Sequence, residues 1–145
     1  MIEKIQWMKK YELGIDEIDL QHEYLFELAN SVCLLHDDNT KENIRELLHE
    51  FHDYTLIHFK DEEAYMKSIN FPELEYHKKL HENIVETLNN VIKESGSIAN
   101  IKQKMKEVVK TVLIEHIVDD DMKIKLFEEQ DLSIIIDDIE NEYVM

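Results

Sequence analysis

Histidines and carboxylates recur in this sequence at spacings that suit metal chelation. His58 and Glu62 are four residues apart, and so are His77 and His81. On a helix, residues at that spacing are neighbours on one face, so each pair can offer two donor atoms to one ion. His22 lies upstream of these pairs, and His116 lies downstream, with Asp119, Asp120 and Asp121 close behind it. Imidazole nitrogen combined with carboxylate oxygen suits iron, and also manganese, zinc or copper. Five imidazoles and two carboxylates are too many for one ion. They suit two octahedral ions that share bridging carboxylates.

Such a site needs elements that bring distant residues together, and the apolar periodicity supplies four helices. The first runs from about Asp16 to His36, with Asp16 or Asp19 as N-cap and an inner face of His22, Leu25, Phe26, Ala29, Cys33 and His36. The second follows Thr40 and runs to about Met66, with Ile44, Leu47, Leu48, Phe51, Thr55, His58, Glu62 and Met66 inward. The third starts near Pro72 and carries His77, His81, Ile84, Leu88 and Val91 on one face. Gly96 ends it, and Ser97 is placed to cap a fourth helix from Ile98 to about Asp119 whose stripe is Ile101, Met105, Val108, Val112 and His116. Short loops between amphipathic helices imply antiparallel neighbours. The expected fold is therefore all-α: an up-down-up-down antiparallel four-helix bundle over residues 1–125, with an N-terminal arm that contains Trp7. Residues 126–145 form a C-terminal extension whose apolar positions include Leu132, Ile134, Ile135, Ile136 and Ile139. It is expected to pack on the bundle, or to serve self-association or a protein partner.

In such a bundle the start of the first helix, the end of the second, the start of the third and the end of the fourth share one end. His22, His58 with Glu62, His77 with His81, and His116 then converge on one pocket. The fourth helix leaves its carboxylate open. Asp120, four residues after His116, is the choice of simple helix geometry. Asp121 would point about 140° away at ~100° per residue, and would turn inward only if the helix distorts, for example at a π-bulge.

A lone histidine on an apolar face is ordinarily a core residue, and His36, His49 and His52 are read so. The five that converge are not, because unpaired buried polar groups are costly to gather in one place. A ferritin-like site needs two Glu-x-x-His motifs. Only Glu46-Leu47-Leu48-His49 has that form, and His49 faces away from the stripe.

Composition narrows the partners. The net charge of −17 repels phosphate backbones and anionic membranes, which excludes nucleic acid and a membrane surface as partners. No apolar run approaches the ~18 residues of a membrane span, and residues 1–10 lack the apolar core of a signal peptide, so a cytoplasmic setting is expected. Two glycines and one proline are too few for the turns of a sheet protein of this length. The single cysteine, Cys33, has no partner for a disulfide or a Cys-type zinc site and reads as a core thiol.

The ordered set His22, His58-x3-Glu62, His77-x3-His81 and His116-x4-Asp121 resembles the ligand set of the hemerythrin family. The stretches Trp7-x5-Leu13-Gly14-Ile15, Ile18-Asp19, Gln21-His22, His58-Phe59, Glu62-Glu63 and Tyr65-Met66 are similar to its bacterial branch. The resemblance covers roughly residues 5 to 125.

It is this resemblance that implies Asp121 over Asp120. It also implies two iron ions with an oxo or hydroxo bridge. His77, His81 and His116 would hold one, His22 and His58 the other, and Glu62 and Asp121 would bridge them. It further implies reversible binding of dioxygen, for transport, storage or scavenging, rather than enzymatic turnover. Sensing through a partner, or a di-iron enzyme acting on peroxide or nitric oxide, is the alternative. Helix phase places Leu25, Phe26, Phe59, Val112 and Leu113 around the oxygen pocket. Family members often carry tryptophan four residues before the last histidine. This chain has Val112 there, which would widen access and speed autoxidation.

Overall fold

The computed structural model describes residues 7–34, 41–93, 97–108, 110 and 115–130, and the side chains of all of these except 32, 33, 41 and 98. A 3-10 turn, Lys9–Tyr11, leads into α1 (Asp16–Cys33). Then come α2 (Lys41–Ser68), α3 (Leu74–Lys93) and α4 (Ile98–Val108). A π-helical turn follows at His116–Asp121, and residues 122–130 continue as α-helix. Helix α1 packs on α2 and α4, and α3 packs on the same two, so the four helices close a ring around one core. The protein is all-helical among the described residues.

Local chemistry sets the helix ends. Asp16, Glu17 and Asp19 place negative charge in the first turn of α1, where the helix dipole favours it. The Asp19 carboxylate also accepts hydrogen bonds from the backbone N–H of Leu13 (2.7 Å) and Gly14 (3.0 Å), pinning the arm to the helix. Gly14 has φ +85°, a conformation glycine adopts without penalty.

The end of α2 is a Schellman motif. Asn70 sits at φ +56° and donates to the Lys67 carbonyl, while Phe71 donates to the Met66 carbonyl. The Phe71 and Met66 side chains share one apolar cluster, as the motif requires. Pro72 lies in the turn ahead of α3 and not in its first turn, because the Phe71–Glu73 segment is still closing that reversal. Ser97 caps α4, its Oγ accepting from the Asn100 N–H at 3.2 Å.

The inward faces follow the helical period. Leu25, Phe26 and Ala29 of α1 pack with Ile44, Leu48 and Phe51 of α2, Leu88 and Val91 of α3, and Ile101, Met105 and Val108 of α4. A smaller cluster of Met66, Phe71 and Ile124 caps the other end, and Phe127 packs against it. Leu47 and Ile84, expected inside, are only half-buried. The Tyr65 hydroxyl donates to Glu128, and Lys125 Nζ donates to the Glu12 carbonyl at 3.3 Å. Residues 122–130 are thereby held against both α2 and the arm. Thr40, Gly96, His36 and the stretch 131–145 lie outside the described residues, as does the side chain of Cys33. No described helix is long and apolar enough to cross a membrane.

Candidate metal centre

Between the two apolar clusters the interior turns polar. Thr55 is the last inward residue of α2 before this zone, and its hydroxyl donates to the Phe51 carbonyl at 2.7 Å. Beyond it His22, His58, Glu62, His77, His81, His116 and Asp121 are all buried, none more than 5% exposed. Their donor atoms form two sets. One is His77, His81 and His116 with Glu62 and Asp121; the other is His22 and His58 with the same two carboxylates. Within each set the donor atoms lie within 4.8 Å of one another.

Each carboxylate serves both sets. Glu62 directs Oε2 toward Nε2 of His22 (3.3 Å) and His58 (3.1 Å), and Oε1 toward Nε2 of His77 (2.9 Å) and His81 (3.1 Å). Asp121 directs Oδ2 toward Nε2 of His22 (3.1 Å), and Oδ1 toward Nε2 of His77 (3.0 Å) and His116 (3.1 Å). Asp121 reaches this position because the chain from His116 to Asp121 is π-helical. Hydrogen bonding in a π-helix runs i→i+5, so residues five apart share a face.

The outward nitrogens have their own partners. His58 Nδ1 lies 2.7 Å from Gln21 Oε1, and Gln21 Nε2 donates to Asp61 at 2.7 Å. His81 Nδ1 meets Glu63 at 3.1 Å, and His116 Nδ1 meets Asp120 at 3.1 Å. Asp120 and Asp121 thus take opposite sides of one imidazole. Acceptors at Nδ1 fix the proton there and leave Nε2 as a lone pair facing inward. Gln21, Glu63 and Asp120 in this supporting role were not foreseen from the sequence. Their only local signal is that each adjoins a residue of the cluster.

The donor set fits cations. With Nδ1 protonated on both rings, the Nε2 lone pairs of His81 and His116 would face each other at 3.0 Å. Both Asp121 oxygens are buried and, despite imidazoles within 3.1 Å, neither has the angles of a hydrogen bond. The Asp121 oxygens thus lie among imidazoles without being satisfied by them. Cations placed between these donors would satisfy them.

Without metal, protons must serve instead. Burial opposes the charged form of His22 and His77, but contacts with Asp121 and Glu62 outweigh it and raise both to about 9. The same opposition leaves His116 at about 10. For His58 burial prevails and its pKa falls. Burial pushes Glu62 and Asp121 up. For Glu62 the histidine hydrogen bonds prevail; for Asp121, which the Glu62 charge also pushes up, the charge of His116 and the close approach of His116 and His22 prevail. Both end below the usual carboxylate range.

A cavity of about 20 Å³, enough for one small molecule, adjoins the cluster at His58 and His116. Leu25 and Phe59 line it, joined by Val108, Ile117, Ile84 and Leu88. Phe26 does not. Its ring packs in the apolar core and meets Trp7 (5.2 Å) and Tyr11 (5.9 Å) of the arm. Val112 and Leu113 lie outside the described residues. Phe59 stacks on His81 at 3.7 Å and also faces an open groove between α2 and α3. His49 is exposed, and His52 is half-buried beside Asp53.

The described residues thus form a helical protein with a buried cluster of histidine and carboxylate donors, in two overlapping sets, that could hold cations. The family model described as the hemerythrin HHE cation binding domain matches residues 13–125. A bacteriohemerythrin of Clostridium acetobutylicum is 33% identical over 126 residues, covering 79% of this chain and 94% of its own. One from Campylobacter jejuni is 32% identical, covering 84% and 94%. The myohemerythrin of Theromyzon tessulatum is 34% identical, covering 85% and 92%. The chain belongs to the hemerythrin family.

Proposed function

We propose that this protein binds dioxygen reversibly at a non-haem di-iron centre, as a carrier, store or scavenger and not as an enzyme. In this reading His77, His81 and His116 hold one iron, His22 and His58 hold the other, and Glu62 and Asp121 bridge them. The observation that carries it is the division of both carboxylates, each with one oxygen toward each set of imidazoles. A single-ion site would have no use for that arrangement.

When bound, an iron pair would supply the reversible electron chemistry that dioxygen binding needs. The chain's own residues do the rest. Gln21, Glu63 and Asp120 hold the imidazoles in the tautomer that faces inward. Leu25, Phe59, Val108 and Ile117 keep water from the cavity beside the cluster, and a dry cavity suppresses proton leakage and loss of reactive species. The placement of ligands from the start of α1, the end of α2 and the start of α3 also supports an up-down-up-down antiparallel four-helix bundle over residues 1–125. Residues 126–145 would be an extension to it.

The test is to load the metal-free protein with ferrous iron without oxygen, admit air, record the visible spectrum, and purge with inert gas. Two irons per chain and a charge-transfer band that vanishes on purging are expected. A band that decays irreversibly would overturn reversible binding and favour a redox sensor or a peroxide-handling enzyme.

A further inference from the structure

The two halves of the centre share their carboxylates but differ in what stands behind their imidazoles. In the three-histidine half, His81 Nδ1 is backed by the Glu63 carboxylate and His116 Nδ1 by the Asp120 carboxylate, each at 3.1 Å. In the two-histidine half, His58 Nδ1 is backed by a neutral amide, Gln21, at 2.7 Å, and His22 Nδ1 is buried with no partner. The nearest charge behind His58 is Asp61, one hydrogen bond further out through Gln21 Nε2.

A carboxylate that accepts from Nδ1–H makes the ring a stronger base at Nε2, and its charge also attracts a cation directly. An amide oxygen holds the ring's orientation and raises its basicity less, and it adds no net charge. A ring with no partner at Nδ1 gains nothing from behind.

Building on the two-ion reading above, we propose that these outer partners set the loading order of the centre. The His77–His81–His116 half is the tight site that fills first, and the His22–His58 half is a weak, exchangeable one. Gln21 is the positioning residue that keeps the second site weak. It holds His58 in place while keeping the Asp61 charge one bond away. Such a centre would lose one ion at low metal supply and regain it without disturbing the other.

Three imidazoles against two would favour the same order by ligand count alone, so the test must vary the outer partners and leave the ligands intact. The double substitution Gln21→Glu with Asp61→Asn exchanges amide and carboxylate. It conserves net charge and the hydrogen-bond chain, and moves the carboxylate directly behind His58. Metal-free protein with ¹⁵N-labelled histidine is titrated with Zn²⁺, which has no redox chemistry. Histidine nitrogen shifts report which rings bind at each equivalent, and chelator competition gives the two affinities.

In the unsubstituted protein the first equivalent should shift His77, His81 and His116, and the second His22 and His58. The exchange should tighten the second site about 10–100-fold, the usual reach of an outer-shell partner. Glu63→Gln should weaken the first site by a similar factor and serves as the independent check if the double variant fails to fold. Simultaneous filling, the reverse order, or a gap that neither variant changes would overturn the proposal and leave the two-ion reading standing. Binding of fewer than two ions by the unsubstituted protein would overturn both.

Discussion

Glu62 and Asp121 share the same imidazoles: each turns one oxygen toward His22 and the other toward His77. In the two-ion reading neither would be a ligand of one half alone. Asp121→Asn or Glu62→Gln should therefore cut the iron bound at saturation from two per chain to one or fewer, measured by metal analysis after gel filtration. Asp120→Asn removes only the acceptor behind His116. It should keep two ions and weaken binding about 10–100-fold. Equal losses from Asp120→Asn and Asp121→Asn would refute this division of roles.

Acid and base should act on the metal-free protein through the same cluster. His22 and His77 at about 9, and His116 at about 10, are raised above their usual 6.5. Their stabilising contribution is complete below the unfolded value and is lost as pH rises through 9 to 10. Glu62 and Asp121 are depressed, so their contribution is present above the usual carboxylate range and lost as pH falls through their lowered values. Stability without metal should peak between about pH 5 and 6.5, and the melting temperature should fall from there toward pH 10. Bound ions displace these protons, so the alkaline loss should shrink in loaded protein. Thermal melts with and without chelator across this range read both effects.

The join between arm and bundle rests on Asp19. Its carboxylate takes the N–H groups of Leu13, which is buried, and of Gly14. Asp19→Ala leaves the Leu13 donor without its acceptor and should cost about 1–3 kcal/mol, read as a shifted urea midpoint. Asp19→Asn, which keeps an acceptor oxygen, should recover part of that loss.

Phe59 separates the small cavity from the open groove and stacks on His81. Phe59→Ala should cost about 3–5 kcal/mol of stability and admit water to the cluster, seen as faster oxidation of ferrous-loaded protein in air. Val112→Trp should act in the opposite sense and slow that oxidation. An unchanged rate would sink the idea that the small residue there widens access.

Much of this arrangement was legible in the residue pattern, and what was not has physical reasons. The inward face of α2 could be read from Ile44 to Met66 because an α-helix converts spacing into direction with no outside information. The choice between Asp120 and Asp121 could not, because it depends on whether one turn is α or π. The structure puts Asp120 behind His116 and Asp121 in front of it. Gln21 behind His58 and Glu63 behind His81 were illegible for another reason. Their partners lie on other helices, 37 and 18 residues away. Phe26 has an inward helical phase and is buried in the core, but it also meets Trp7 and Tyr11 of the arm, whose docking the periodicity of α1 cannot contain.

The π-helical turn at His116–Asp121 has a consequence for how chain length can vary here. In an ordinary helix a one-residue deletion rotates everything beyond it by ~100°, and buried faces on the two sides of the cut can no longer both point inward. This turn already holds a surplus residue. Removing one residue from 117–120 would relax it to α-helix, with His116 and its carboxylate four apart and Ile124 still facing the cluster of Met66 and Phe71. The stretch acts as a length of slack: loss of one residue there would leave both the centre and residues 122–130 in register.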